Sequence, residues 1–403
     1  MDNHKKSAFQ LIFLFGLVSL FGDIIYEGAR SVNGPYLKTL GANAAIVGLV
    51  AGIAEFLGYA IRLVSGYFSD KTRAYWLFAF LGYGLLISVP LLSLAGIWQV
   101  AVIFIILERL GKALRSPARD TIMSQAAKQV GTGMGFAIAE VLDQIGAIAG
   151  PLIFTALFFI LGKGERSLGD YQFGYSLLWV PLAIVIYCLS LAYRRVPNPQ
   201  TLESQSSKIL EQDKLSKVFW IYTIFSFITT LGFTNFALVG FHFKAKQVLT
   251  DAQIPLFYAI AMGVDALAAL AIGKIYDSLK SRHNNENAGL FTLIIIPVFT
   301  LFIPVFVFSS SFTLALAGSI IWGLVMGAHE TVMKSAIADI TPLKKRGTGY
   351  GIFNTAYGLA IFIGSALTGM LYERSITVVI VISILFEIAA IFTFFVLRKE
   401  AAK

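Results

Sequence analysis

The chain has 403 residues, of which 57% are hydrophobic and only 14% charged, and its mean hydropathy is +0.75. A soluble domain, in which roughly half the residues or fewer are apolar, is excluded, and the chain reads as an integral membrane protein. The net charge of +9 follows topology rather than a nucleic-acid surface. Most lysines and arginines fall at alternate loops and helix ends, which puts both termini in the cytoplasm by the positive-inside rule, and no nucleic-acid partner is expected. The single cysteine, Cys188, lies in an apolar run; an intrachain disulfide is excluded and a metal site is not expected.

Crossing the hydrocarbon takes about 20 apolar residues per helix, and twelve such segments recur between Ala8 and Leu397. Runs such as Leu178 to Leu191 are almost continuously apolar, unlike the alternation of barrel strands, so the expected class is an all-α membrane protein with twelve transmembrane helices. The basic start, Met1 to Lys6, leads into an apolar run without a small-residue cleavage site, and is read as the start of the first span rather than a signal peptide.

The first span, about Ala8 to Leu37, carries Asp23, Glu27 and Arg30 on one stripe with Gly16, Ser19 and Gly34, so one face is wet or salt-bridged. The second, about Ala45 to Phe68, aligns Glu55, Tyr59 and Arg62 between Gly48 and Gly66 and leaves through Ser69, Asp70, Lys71, Thr72 and Arg73. The third span, about Ala74 to Ala95, has no charge. The fourth, about Ile97 to Pro117, places Glu108, Lys112, Arg115 and Arg119 on a stripe beside Arg109, with most of the charge toward the cytoplasmic end. The fifth belongs to the stretch Gly131 to Pro151, where Asp143, Gly146 and Gly150 share a face and Glu140 and Gln144 are turned away. The sixth, about Phe173 to Tyr193, is apolar.

Residues 196–217 are polar and contain no span, so they read as a cytoplasmic linker between a first half, 1–195, and a second, 218–403. Six further spans follow, with few interior charges: Asp265, His329, Glu330 and Glu387. The halves echo each other. GTGMG at Gly131 recurs as GTGYG at Gly347, Asp120-Thr121-Ile122-Met123 recurs as Glu330-Thr331-Val332-Met333, and Gly66 to Asp70 recurs as Gly273 to Asp277, at offsets of 207 to 216 residues. Two pseudo-symmetric six-helix bundles in one membrane orientation are expected.

On these residues the chain resembles the major facilitator superfamily. Gly66, Asp70 and Lys71 match its signature after the second helix, whereas Arg73 stands where the second glycine belongs and Tyr75 where the last base belongs. Gly146, Gly150 and Pro151 match the fifth-helix motif of the antiporter branch, with Ala137 in place of its first glycine. The resemblance implies alternating access, a gate latch at Asp70, a glycine ridge facing the eighth helix, where Asp265 lies, and export. Arg109 stands near the position of the arginine of proton-coupled members.

An ionised side chain at mid-bilayer costs on the order of 3 kcal/mol even on the gentlest scale, so Asp23, Glu27, Glu55, Glu108, Glu140 and Asp143, near the middle of their spans, need a reason to be there. One is proton uptake and release, for which Asp23, Glu140 and Asp143 stand out because no base lies at i±3 or i±4. The other is ion pairing: Glu27 with Arg30, Glu55 with Arg62, Glu108 with Lys112. His329 and Glu330 are a further candidate pair, with structural pairing the alternative.

No nucleotide-binding loop or hydrolytic arrangement is present; neither an enzyme nor a cofactor is expected, and energy comes from an ion gradient or from the substrate's own. The reading is a monomeric secondary transporter of the bacterial inner membrane that exports an amphipathic cationic or neutral small molecule against protons, with sodium the alternative ion and the lipid bilayer its surroundings. The cationic or neutral choice rests on carboxylates outnumbering bases at mid-depth. The alternatives are an uptake symporter or uniporter for a nutrient or metal complex, and a receptor or scaffold that does not transport.

Overall fold

The computed structural model describes residues 3–130, 132–162, 164–199, 215–283, 286–341 and 346–402, which contain helices and no strand. Most of the expected linker, the glycine-rich GTGMG with Ala137, and the first glycine of its GTGYG echo lie outside the residues or side chains described. In chain order the helices are α1 Asn3–Thr39, α2 Ala44–Thr72, α3 Tyr75–Leu94, α4 Trp98–Val130, α5 Thr132–Ile160 and α6 Leu168–Arg195. They continue as α7 Lys217–Ala245, α8 Gln253–His283, α9 Ala288–Val307, α10 Phe312–Ile337, α11 Arg346–Arg374 and α12 Ile376–Ala401.

Eleven of these are long and apolar enough to cross a membrane. The twelfth, α4, has the length but carries Glu108, Arg109, Lys112 and Arg115 toward its middle. Such a helix is tolerated in lipid only where its charged face is buried in protein or water, and here much of that face is buried in protein.

The helices bend where the sequence removes backbone donors or supplies caps. In α3 the α-helix gives way to tighter turns at Leu85–Ile87 and again at Leu92–Leu94, on either side of Pro90, and α9 breaks similarly around Pro297 and Pro304, as expected where proline cannot donate. In α7 the chain extends at Phe233, and Asn235 restarts the helix by accepting from the Ala237 N–H at 2.9 Å, the usual role of an asparagine N-cap. In α10 a single π turn spans His329–Met333.

The chain forms two compact units. The first comprises residues 1–41, 57–208 and 251–259, and the second 42–56, 209–250 and 260–403. Within the first, α1 packs along α5 and against α6 and α4, and α3 packs on α4. Tyrosines tie its helices together: Tyr36 donates to the Leu92 and Ala95 carbonyls at 2.8 and 3.1 Å, and Tyr175 donates to the Asn33 side-chain oxygen at 2.8 Å. Within the second, α7 packs on α12 and α11, and α9 packs on α10.

Both units contain helix crossings so close that only glycine fits. A Cβ on Gly150 would lie 2.5 Å from the Ile24 carbonyl oxygen, and one on Gly146 would lie 2.3 Å from that of Leu20. In the second unit a Cβ on Gly364 of α11 would meet the Leu231 carbonyl of α7 at 2.5 Å. The pairs α1–α5 and α7–α11 occupy equivalent places in the two sequence repeats, so small residues at a helix interface serve the same end twice.

Candidate functional site

The glycine crossing decides what surrounds Asp23. Gly146 and Gly150 of α5 pack on α1, and the Cβ of Asp23 lies 3.0 Å from the place a Gly146 side chain would take. The ridge therefore packs on α1, and it brings the α5 carboxylate Asp143 toward Asp23. The charges acting on half-buried Asp23 are those of Asp143, Lys112, Glu27 and Arg119. Among the described residues Asp23 has no hydrogen bond or ion pair.

One helical turn further on, Glu27 is buried, lies 3.6 Å from Arg30 and accepts a short hydrogen bond from the hydroxyl of Tyr258. The expected pair with Arg30 is thus present, with a tyrosine from the start of α8 added. Glu108 is also paired, but not with Lys112. Its carboxylate lies 3.4 Å from Arg109 and 3.7 Å from Arg115, all three side chains being less than one-tenth exposed. Lys112 sits one turn from Glu108 yet points to α1, where its Nζ donates to the Tyr26 hydroxyl at 2.5 Å and lies 3.8 Å from the ring centre.

Arg62, expected to pair with Glu55, makes no ion pair among the described residues; its guanidinium lies 5.0 Å over the Tyr59 ring. The two residues are separated by two helical turns and fall in different compact units, Glu55 in the second and Arg62 in the first. Arg119 reaches Asp120 at 3.1 Å, Ser19 at 3.2 Å and Asp143 at 4.0 Å. Asp143 therefore has a base after all, supplied by another helix. Glu140 is exposed and accepts from Gln144 at 3.2 Å. With Phe15, Met123 and Ala139, the Ser19, Arg119, Asp143 and Glu140 side chains line a cavity of about 330 Å³.

The charge balance differs from the expectation that carboxylates outnumber bases. The first unit gathers Arg30, Arg62, Arg109, Lys112, Arg115 and Arg119 around Asp23, Glu27, Glu108 and Asp143. Glu55 belongs to the other unit and Glu140 points outward, while Lys112, Arg115 and Arg119, assigned by sequence to a helix end, turn inward. Lys112, Arg115 and Arg119, legible in the sequence as charges toward a helix end and, for Lys112, as a partner of Glu108, join the site together with Tyr258, which the sequence did not single out. The signal for the first three was the stripe along α4; for Tyr258 there was none.

The gating residues are arranged more simply. Asp70, Lys71 and Arg73 are exposed at the end of α2, with Lys71 lying 5.7 Å over the Tyr67 ring. Arg73 has a φ of 54°, the left-handed region that glycine adopts freely, at the position where the family signature places glycine. Gly66 lies against Pro117, to which a Cβ would come within 3.5 Å, and Pro151 is buried just after the ridge. His329 and Glu330 do not form a pair: His329 is buried against the Tyr357 hydroxyl at 2.9 Å, and Glu330 is exposed. Trp322 is core, its indole donating to the Thr234 carbonyl at 2.9 Å.

A multi-pass helical protein with paired and unpaired charges enclosed among its spans is a membrane transporter in class, since ionisable groups inside a bilayer mark solute and ion pathways. The chain belongs to the Major Facilitator Superfamily, whose family model matches residues 12–327 and 287–403. It is 37% identical over 398 residues to an uncharacterized protein of Mycobacterium tuberculosis, covering 97% of this chain and 94% of that one. A tetracycline resistance protein, class H, of Pasteurella multocida is 25% identical over 130 residues, or 32% of each chain. Among solved structures, a bacterial homolog of the human lysosomal transporter Spinster, in an inward-facing and occupied conformation, superposes with a TM-score of 0.71 at 13% identity, covering 96% of both chains. The protein is a secondary transporter of small molecules, not an enzyme.

Proposed function

We propose that this transporter is coupled to protons through Asp23 and exports an amphipathic compound by alternating access of two six-helix halves, residues 1–195 and 218–403 joined by 196–217. The observation that carries the coupling is the isolation of Asp23. Glu27, Glu108 and Asp143 each have a base within 4.0 Å, whereas Asp23 has none within that distance among the described residues. A carboxylate free of a permanent partner can gain and lose a proton without breaking an ion pair, at a place where Lys112 and Arg119 sense the change.

Export is supported by the match to the fifth-helix motif and by the stretch of similarity to the tetracycline resistance protein. The motif's glycines also have a packing role on α1, independent of direction, so the relative carries more of that argument. The location is the bacterial inner membrane with both termini cytoplasmic, on the distribution of basic loops, and the working unit is the monomer. Asp70 is the residue for a gate latch, exposed and without an ion pair among the described residues.

A second reading, inward cotransport of a proton with its solute, is favoured by the nearness of Asp23 to Lys112. A proton on Asp23 removes a negative charge from beside that cation and so favours an anion there at the same moment. One experiment separates the two. Accumulation of a panel of cations, zwitterions, anions and neutral amphiphiles is measured in an efflux-deficient bacterium, with and without the protein and with a protonophore. Lower accumulation that the protonophore reverses supports export; higher accumulation that it abolishes supports cotransport. No effect of the protonophore on a transported compound removes the proton from the mechanism.

A further inference from the structure

In the first unit the pairing of acids and bases leaves a specific remainder. Arg30 takes Glu27, Arg109 and Arg115 share Glu108, and Arg119 takes Asp120 and Asp143. Arg62 and Lys112 are left, and neither makes an ion pair among the described residues. The guanidinium of Arg62 lies over Tyr59 at 5.0 Å, the ammonium of Lys112 over Tyr26 at 3.8 Å, and that of Arg109 over the same Tyr26 ring at 5.2 Å. The Nε of Arg62 is buried without a hydrogen-bond partner. The charges acting on Lys112 are those of Arg109, Asp23, Glu27 and Arg62, so the two unpaired cations and Arg109 belong to one neighbourhood.

Two cations held by aromatic faces and, for Lys112, one tyrosine hydroxyl, without an ion pair among the described residues, are incompletely compensated in a partly buried place, because a cation over a ring gains about 0.5–2 kcal/mol while leaving water costs an ion several. Both side chains are only half-buried, so a ligand can reach them. Guanidinium and ammonium together suit one chemistry, an oxyanion: the planar guanidinium donates to two oxygens and the ammonium adds a point charge. The two tyrosine rings supply an apolar, flat surface beside it.

We infer that Arg62 and Lys112 hold an oxyanion group, a carboxylate, phosphate or sulfonate, of the transported solute, with Tyr26 and Tyr59 against its apolar part. The inference rests on the reading of the protein as a transporter but not on proton coupling. Asp23 and Glu27 on α1 are the acids that compete for Lys112, and the surroundings of Asp23 are Asp143 from α5, Lys112 and Arg119 from α4, Tyr83 from α3 and Glu27. Removing its charge strengthens the oxyanion site.

The test uses the full chain in lipid nanodiscs at fixed pH, with phenyl phosphate, benzoate and benzenesulfonate as oxyanion probes and benzylamine and benzyl alcohol as counterparts of similar shape. At least one oxyanion is expected to raise the unfolding temperature saturably, and the two counterparts are not. Arg62→Gln and Lys112→Gln should each weaken that probe by about 10- to 100-fold, the loss of one charged hydrogen bond. Arg62→Lys and Lys112→Arg, which keep the charge, should each bind the probe more tightly than the glutamine variant at the same position, and Asp23→Asn should bind it more tightly than the wild type. The last keeps the test sound if a glutamine variant does not fold.

Protection by benzylamine in place of the oxyanions, by none of the three oxyanions, or equally in the wild type and both glutamine variants overturns the inference. So does weaker binding in Asp23→Asn. In proteoliposomes, oxyanion binding without oxyanion-driven proton movement upholds the site and removes Asp23 coupling; proton movement driven by benzylamine alone upholds coupling and overturns the oxyanion site.

Discussion

Gly150 of α5 and Gly28 of α1 meet backbone to backbone: a Cβ on Gly150 would lie 2.7 Å from the Gly28 nitrogen. No side chain can move aside there, because the obstructing atoms are main chain. Gly150→Ala is therefore expected to destabilise by about 1–3 kcal/mol, the usual range for overpacking, and Gly146→Ala by a similar amount. Gly58→Ala, in a place where nothing lies within 4 Å, is expected to be neutral or to stabilise by up to about 1 kcal/mol through helix propensity. Thermal unfolding of the three variants in one detergent checks the contrast, and equal effects would remove the ridge from the packing account.

Glu108 neutralises two buried arginines at once. Glu108→Gln keeps the shape and removes the charge, leaving Arg109 and Arg115 without their carboxylate. Breaking a buried pair by deleting one partner costs about 3–5 kcal/mol, so this variant is expected to be the least stable single substitution in the cluster, read as unfolding temperature and membrane yield. Lys112→Gln, which breaks no ion pair, should unfold within about 1 kcal/mol of the wild type.

Asp23→Asn is expected to abolish uphill transport while the folded protein still exchanges substrate down its gradient. Asp143→Asn frees one oxygen contact of Arg119, which keeps Asp120 at 3.1 Å, and should lower the transport rate without abolishing accumulation. Transport assays with an imposed pH gradient distinguish the two; uphill transport by Asp23→Asn at the wild-type rate would take Asp23 out of the mechanism.

Arg73 occupies a left-handed conformation at the end of α2, a region that costs a residue with a Cβ about 1–2 kcal/mol. Arg73→Gly is expected to raise stability by about 1 kcal/mol, after allowing for the extra freedom glycine has when unfolded. The same substitution removes one exposed positive charge, so Arg73→Gln serves as the control and should leave stability unchanged.

Much of the fold was legible because bilayer physics writes it in long apolar runs, and the eleven apolar helices all lie where such runs were found. The glycines of α5 were legible as a packing ridge, but their partner was not, since small residues at i and i+4 announce a close approach without naming the helix that makes it. The buried charges were legible as residues and not as pairs. Intrahelical spacing suggested Glu108 with Lys112 and Glu55 with Arg62, but Glu108 takes Arg109 and Arg115 of its own helix at other spacings, while Lys112 is drawn to Tyr26 on α1. The inward turn of Lys112, Arg115 and Arg119 was hidden for a related reason: long flexible bases near a helix end read as loop charge, whereas α4 continues to Val130 and keeps them within the packed part of the unit.

The π turn at His329–Met333 bears on how the two halves can be compared. Such a turn fits one residue more than an α turn into the helix, so α10 has absorbed an insertion without ending. Residues before and after it are out of step by one with any α-helical counterpart in the first half. The echo of Asp120 in Glu330 falls inside this turn, and an alignment of the halves at a constant offset across it assigns partners from the wrong face of the helix on one side or the other. Equivalences between the repeats are safe within each segment of α10 and have to be restarted at Lys334.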